Sequence, residues 1–195
     1  AKRRDFTING LFYDPLTEQV HDYVGGVADL DAKLIRAVGD PSSRFREDAL
    51  RMLRAVRFRA QLGELGFRSE PALLEAIKRE KARLASVSRE RVTQEMMRLL
   101  VSPTAGAGLA ELVATGLWKE VFLTEEAPDA AQTASIDILN SAFNTEFKRP
   151  PPFTLPLAAL LDWCPSIPRD RIFVLGKDQK KALQETLSLA ARLPE

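Results

Sequence analysis

Between Arg44 and Arg59 six arginines surround a single acidic pair, Glu47-Asp48, and the spacing predicts one amphipathic helix. At about 100° per residue, Asp48 and Arg51 share a face one turn apart, while Arg54 and Arg57 follow around the flank. Ala49, Met52, Leu53 and Val56 form a separate apolar stripe. A chain with this segment must bury the stripe and leave forked cationic donors at the surface beside a carboxylate. Taken alone, the pattern fits a surface helix laced with ion pairs of little energetic weight. The neighbouring segments carry the reading further.

With 195 residues, the chain is long enough for a sizeable core in one domain or two small ones. The single cysteine, Cys164, has no internal disulfide partner, which points to a reducing, cytoplasmic setting and a buried apolar role for the thiol. No apolar run reaches the roughly 18–20 residues of a membrane span, so no membrane partner is expected. The formal charge of +1 conceals a split: residues 1–100 hold 19 Lys+Arg against 15 Asp+Glu, and residues 101–195 hold 9 against 12. An anionic ligand therefore belongs to the front half.

Along the chain, Phe6-Thr7-Ile8 and Leu11-Phe12-Tyr13, a turn at 14–17 and then residues 19–24 read as a hairpin. A short helix over Val27 to Lys33 and a strand over Leu34 to Val38 follow. From Ser42, with Ser42 or Ser43 as cap, the pattern is helical: to about Leu62, then 71–82, 88–101, 104–116, the apolar segment Phe153 to Trp163, and 177–193. Residues 124–135 read as a loop. The fold class expected is mostly α, with a short α+β unit (about 1–40) ahead of a helical array.

Three stretches stand in order: Arg3-Arg4-Asp5-Phe6-Thr7-Ile8-Asn9; Asp22 with Gly25-Gly26 and Asp29-Leu30; and Glu47-Asp48 with Arg51, Arg54 and Arg57. Together they resemble the bacterial class II tRNA nucleotidyltransferase (CCA-adding enzyme) and poly(A) polymerase family. The match is strong over 1–65, looser over 85–122 through Ser88-Arg89-Glu90-Arg91-Val92 and Gly116-Leu117-Trp118, and faded beyond about 125. The resemblance implies an end of the head domain over 1–40, a neck over 41–122 and part of a body over 123–195. It also implies base recognition by Asp48 and Arg51, nucleotide or triphosphate contacts by Arg4, Arg54 and Arg57, and Asp5 and Asn9 near the ribose. Asp22, Gly25 and Gly26 correspond to the flexible head-to-neck motif, though Asp22 to Gly26 also fits an ordinary turn.

The residue types suit that chemistry. Without a nucleic-acid template, a carboxylate can accept from the exocyclic amine of cytosine or adenine while a neighbouring guanidinium donates to the ring nitrogen. Uracil and guanine present a carbonyl instead and leave unpaired groups, at about 1–3 kcal/mol each. The implied substrates are CTP and ATP, the partner an RNA 3′ end such as that of tRNA, and the cofactor Mg²⁺. Its ligands are expected in a segment upstream of Arg3-Arg4-Asp5, so no catalytic or metal residue is assigned in this chain, which by itself should be inactive. Asp29-Leu30-Asp31 is not taken as a metal pair, because i and i+2 on a helix point apart by about 200°. His21 and both tryptophans read as structural. The competing reading is a non-catalytic helical RNA-binding or interaction module that retains a nucleotide pocket. CCA addition and A addition are not separable from these motifs, nor is the oligomeric state.

Overall fold

Two short backbone stretches hold the front of the molecule together. Val38 N donates to Asp5 O at 3.1 Å and Thr7 N to Arg36 O at 3.0 Å, and Phe6 forms an antiparallel bridge with Ala37. The computed structural model describes Ala1 and residues 3–190. Phe6 is fully buried and packs edge-on against Phe58 with ring centres 5.4 Å apart.

Around this pairing lie the hairpin β1 (Leu11–Asp14) and β2 (Gln19–Asp22), the helix α1 (Gly26–Asp31) and the strand β3 (Leu34–Ile35). In the hairpin, Leu11 faces Asp22 and Asp14 faces Gln19. The helices α2 (Pro41–Glu47) and α3 (Leu50–Leu62) come next, then β4 (Arg68–Ser69), which lies parallel to β3. The array continues as α4 (Pro71–Glu80), α5 (Arg89–Leu100), α6 (Ala105–Thr115), α7 (Leu117–Phe122), α8 (Ala130–Phe147), α9 (Thr154–Trp163) and α10 (Lys177–Ala190). One apolar cluster runs from Phe6 through Met52, Leu53 and Val56 of α3 to Leu99, Leu109, Leu157 and Phe173. The mostly helical fold with a small α+β front is the one the sequence predicts.

Several elements differ from the sequence expectation. The arginine-rich segment is two helices rather than one: at Asp48 the backbone turns extended (φ −151°, ψ 105°). The Asp48 carboxylate accepts from Leu50 N at 3.1 Å and its carbonyl from Arg51 N at 3.1 Å. Asp48 thus opens α3, where its charge complements the helix dipole. The cap of α2 is Asp40, accepting from Ser43 N at 2.7 Å ahead of Pro41, rather than Ser42 or Ser43. Residues 7–9 form a 3-10 turn instead of strand, and only Leu34–Ile35 of the segment 34–38 is strand. The loop expected over 124–135 ends at Asp129, which closes a capping box with Gln132 and starts α8. Residues 191–193, expected to extend the last helix, lie outside the described residues.

Arg89 ties the rear of the array together. Its guanidinium donates to the carbonyls of Val121 (2.6 Å), Glu120 (3.3 Å) and Ile172 (3.1 Å), satisfying the C-terminus of α7. Burial pulls its pKa below the usual arginine value. Cys164 is buried among core residues, and burial pushes its thiol up to about 11. Trp118 is buried, donates Nε1–H to Glu126 O and stacks on Phe122.

The Asp22 turn joins hairpin to helix tightly. Its carboxylate accepts from the amides of Val24, Gly25, Gly26 and Val27 at 2.9–3.0 Å; the Val27 bond leads in holding its pKa below the ordinary value. Gly25 has φ +79°, and a Cβ on Gly26 would come within 2.3 Å of Thr7 O. Gly26→Ala should therefore cost about 1–3 kcal/mol by forced backbone movement, and Gly25→Ala about 1–2 kcal/mol by left-handed strain alone. Denaturant unfolding should rank them in that order; equal, negligible losses would show that the turn yields freely.

Candidate functional site

The joint between α2 and α3 collects an alternating row of acids and guanidinium groups. Glu47 Oε2 takes Arg44 Nη1 at 2.8 Å and Arg51 Nη1 at 2.7 Å. Arg51 Nε reaches Asp5 Oδ1 at 2.9 Å, and Arg54 Nε the other oxygen of Asp5 at 2.6 Å. Arg54 Nη1 stands 3.6 Å from Glu95, whose second oxygen takes Arg57 Nε at 2.6 Å. The row joins the front segment, the neck helix α3 and α5. Asp5 faces α3 because its backbone is paired with Val38.

Asp48 stands beside this row. Its Oδ2 accepts from Arg91 Nη2 at 2.8 Å; its side chain is one-third exposed. Burial works against its charge, but the hydrogen bonds from Arg91 and Leu50 and the charges of Arg91 and Arg51 hold its pKa below the ordinary value. Arg51 is mostly buried. Burial disfavours its charge, and the bonds to Glu47 and Asp5 outweigh that and raise its pKa. Arg51 Nη1 also donates to Arg44 O at 3.1 Å, while Nη2 makes no hydrogen bond among the described residues. The side chains of Asp48 and Arg51 do not bond to each other among those residues.

Glu47 is exposed and separates two open clefts. One, about 470 Å³, is lined by Tyr23, Val24, Val38, Asp40, Arg44 and Glu47. The other, about 340 Å³, is lined among others by Arg46, Glu47, Asp48, Arg83, Ser88 and Arg91.

The remaining expected site residues divide. Arg4 is exposed, its guanidinium 5.9 Å from the Phe12 ring centre. Asn9, partly buried in the 3-10 turn, makes no side-chain hydrogen bond among the described residues. Arg54 is held between Asp5 and Glu95. Arg57 is 6% exposed, packs over the Phe58 ring at 4.3 Å and bonds Gln61 as well as Glu95; it stands behind the row instead of in a cleft. Asp22, Gly25 and Gly26 form the clamped turn described above, next to Tyr23 and Val24 of the larger cleft. Asp29 is buried, taken by Thr7 Oγ1 at 2.6 Å and Arg36 Nε at 3.2 Å, whereas Asp31 is exposed. In the sequence Arg91 stands out only within a loosely matching stretch, Arg44 only as a member of the arginine run, and Glu95 not at all. The spacing of Arg91 and Glu95, four residues apart on one face of α5, was the available signal.

The family model for a poly(A) polymerase head domain matches residues 1–36, and that for a probable RNA- and SrmB-binding site of polymerase A matches residues 66–131. The CCA-adding enzyme of Bacillus subtilis is 48% identical over 120 residues, which are 62% of this chain and 29% of that protein. Poly(A) polymerase I of Escherichia coli is 47% identical over 100 residues, 51% of this chain and 21% of that protein. The structure of the Bacillus stearothermophilus CCA-adding enzyme in complex with CTP superposes with a TM-score of 0.73 at 29% identity, covering 100% of this chain and 47% of that one.

The chain belongs to the class II CCA-adding enzyme and poly(A) polymerase family.

The matched stretches span less than a third of the length of these curated relatives, and the whole chain covers 47% of the related structure. The match over 66–131 takes in α4, which the sequence resemblance passed over, and the shared fold extends past residue 125, where the sequence resemblance fades. The Thermotoga maritima CCA-adding enzyme complexed with tRNA shares the fold at a TM-score of 0.69 and 21% identity.

Two outcomes test the row. Glu95→Ala should leave Arg57 buried without its carboxylate and cost about 3–5 kcal/mol in urea unfolding; a loss below about 1 kcal/mol would show that the guanidinium escapes to water. For Asp48 the folded pKa lies below the unfolded value, so its pairing stabilises the fold above about pH 4 and is lost as pH falls through the folded value. Thermal midpoints of the native chain and Arg91→Ala should therefore differ at pH 6 and converge towards pH 3; a difference unchanged across that range would remove the Asp48–Arg91 pair from the account.

Proposed function

We propose that the whole protein of which this chain is a part transfers C, A or both from CTP and ATP to RNA 3′ ends, tRNA among them, without a nucleic-acid template, and that this chain carries base recognition. The observation that carries the reading is the placement of Asp48 in the wall of the smaller cleft, beside the Glu47 that divides it from the larger one, its carboxylate ionised and partly exposed, with Nη2 of Arg51 on the next turn. The relatives, which include both CCA-adding enzymes and a poly(A) polymerase, support the reaction class and leave both products open. Structures of related enzymes with CTP and with ATP support the nucleotide pair.

The nucleotide enters on the head side of Glu47, its sugar and phosphates in the larger cleft and its base reaching past Glu47 towards Arg51 and towards Asp48, which lines the smaller cleft. Asp48 accepts from the exocyclic amine and Arg51 donates to the ring nitrogen. Glu47, which now holds Arg51 Nη1, swings out to admit the base; its exposure makes that movement inexpensive. Arg4, on the exposed front segment, and Arg54 contribute positive potential towards ribose and phosphates, with Asp5 and Asn9 near the sugar. Arg57 acts as a positioning residue through Glu95. The turn at Asp22, Gly25 and Gly26 sets the angle between the front unit and the neck.

Mg²⁺ would orient the triphosphate and lower the pKa of the attacking 3′ hydroxyl. Among the described residues no group of three His, Cys, Asp or Glu side chains could hold a metal ion, so the residues present do not fit it. Also among the described residues, no helix is long and apolar enough to cross a membrane.

Isothermal titration of the four nucleoside triphosphates into the chain should give CTP and ATP about tenfold tighter binding than UTP and GTP, the equivalent of 1.4 kcal/mol. Arg51→Ala should weaken CTP and ATP and bring the four affinities together, with Asp48→Asn doing the same. Equal affinity of the native chain for all four would overturn base recognition by this pair.

A further inference from the structure

The smaller cleft contains a feature that base recognition does not use. Glu80, at the end of α4, is 8% exposed, and each of its oxygens holds a different arginine: Oε1 takes Arg46 Nη2 at 2.7 Å and Oε2 takes Arg83 Nε at 2.8 Å. Both arginine side chains are more than half exposed, at 57% and 52%. Their guanidinium groups line the cleft together with Arg91, which Asp48 holds from the far side. Two carboxylates thus hold three guanidinium heads around one space: Glu80 from outside its lining, and Asp48 from within its wall, where Glu47 also stands. Each guanidinium keeps forked N–H donors that the acids do not occupy. Ser86 and Ser88 add hydroxyls to the wall, and Phe45 and Val87 add apolar surface.

Such a cleft suits a phosphate group, because planar forked donors held in place match its oxygens and little ordering remains to be lost on binding. No residue before Phe45 lines it. The nucleotide reading sends the triphosphate towards the front segment, on the opposite side of Glu47. We propose that Arg46, Arg83 and Arg91 form a subsite for a backbone phosphate of the RNA strand, seated across Asp48 from the incoming nucleotide. Glu80 is its positioning residue. The proposal rests on the assignment of Asp48 and Arg51 to the nucleotide base, and its test separates the two.

The probe is a fluorescein-labelled single-stranded RNA of about eight nucleotides, titrated with the native chain by anisotropy at several salt concentrations, with CTP titrated in parallel. In the double variant Arg46→Ala, Arg83→Ala the slope of log affinity against log salt should fall by roughly 0.7–1.4, one to two lost phosphate contacts on a single strand. The affinity of this variant for CTP should stay within about twofold, under 0.5 kcal/mol. Arg46→Lys with Arg83→Lys keeps the charge and should preserve most of the slope while losing affinity, because the fork is gone. Arg51→Ala should show the reverse split, with CTP weakened and the RNA slope retained. If circular dichroism shows the alanine pair unfolded, the glutamine pair is read by the same criteria.

The proposal is overturned if the native chain shows no salt-dependent RNA binding or if the double variant keeps the native slope. It is equally overturned if CTP binding falls along with RNA binding, since the arginines would then serve the triphosphate. Loss of base preference in Arg51→Ala with the RNA slope intact upholds the nucleotide reading independently; retained preference there would fail that reading and leave the RNA result standing.

Discussion

Asp5 is the residue on which the arrangement turns. One carboxylate, fixed by backbone pairing to Val38, grips Arg51 with one oxygen and Arg54 with the other. The front unit and the neck helix are thereby held at a set distance and angle, and Arg51 is oriented by a group from another part of the chain. The pair is only partly shielded from water, so its value lies less in net stability than in geometry. A guanidinium that must present one particular N–H edge to a base loses selectivity if its plane can rotate.

The same economy runs through the row. Glu95 takes Arg57 in the core and leans on Arg54, Glu47 takes Arg44 and Arg51, and Arg91 holds Asp48. Each acid has at least two cations or a cation and an amide, so no buried charge is stranded. The cost of assembling so many like charges on α2 and α3 is offset by acids brought from α5 and from the front segment. Positive charge then remains at the rims, where Arg4, Arg46 and Arg83 are exposed.

Much of this was legible before any coordinates. Helices whose apolar residues recur every three to four positions, such as α5 with Val92, Met96 and Leu99, declare themselves because burial demands that period. The break at Asp48 did not, because an acid within an arginine run fits a helix interior as an ion-pair partner as readily as a helix start. Only the extended backbone there distinguishes the two. Strands β3 and β4 are two residues each and too short to show alternation. The helix α8 buries only Thr133, Ile136 and Asn140, leaving almost no apolar stripe to read; its capping pair Asp129 and Gln132 was the better signal. At the site, the residue types of Asp48 and Arg51 announced their chemistry. Their actual partners, Arg91 and Asp5, lie 43 and 46 positions away in sequence, and no local pattern specifies contacts of that range.

Base selection by this chain requires that Arg51 and Asp48 meet the base of a nucleotide. Arginine side-chain NMR of the full chain, following the guanidinium N–H signals of Arg51 and Arg91 during addition of CTP and then, separately, UTP, observes that contact directly. The account predicts that CTP moves the Arg51 signals, by engaging Nη2, and the Arg91 signals, by drawing on the carboxylate they share, while UTP at the same concentration leaves both nearly in place. CTP binding with Arg51 and Arg91 unmoved, or identical shifts from UTP, would contradict it.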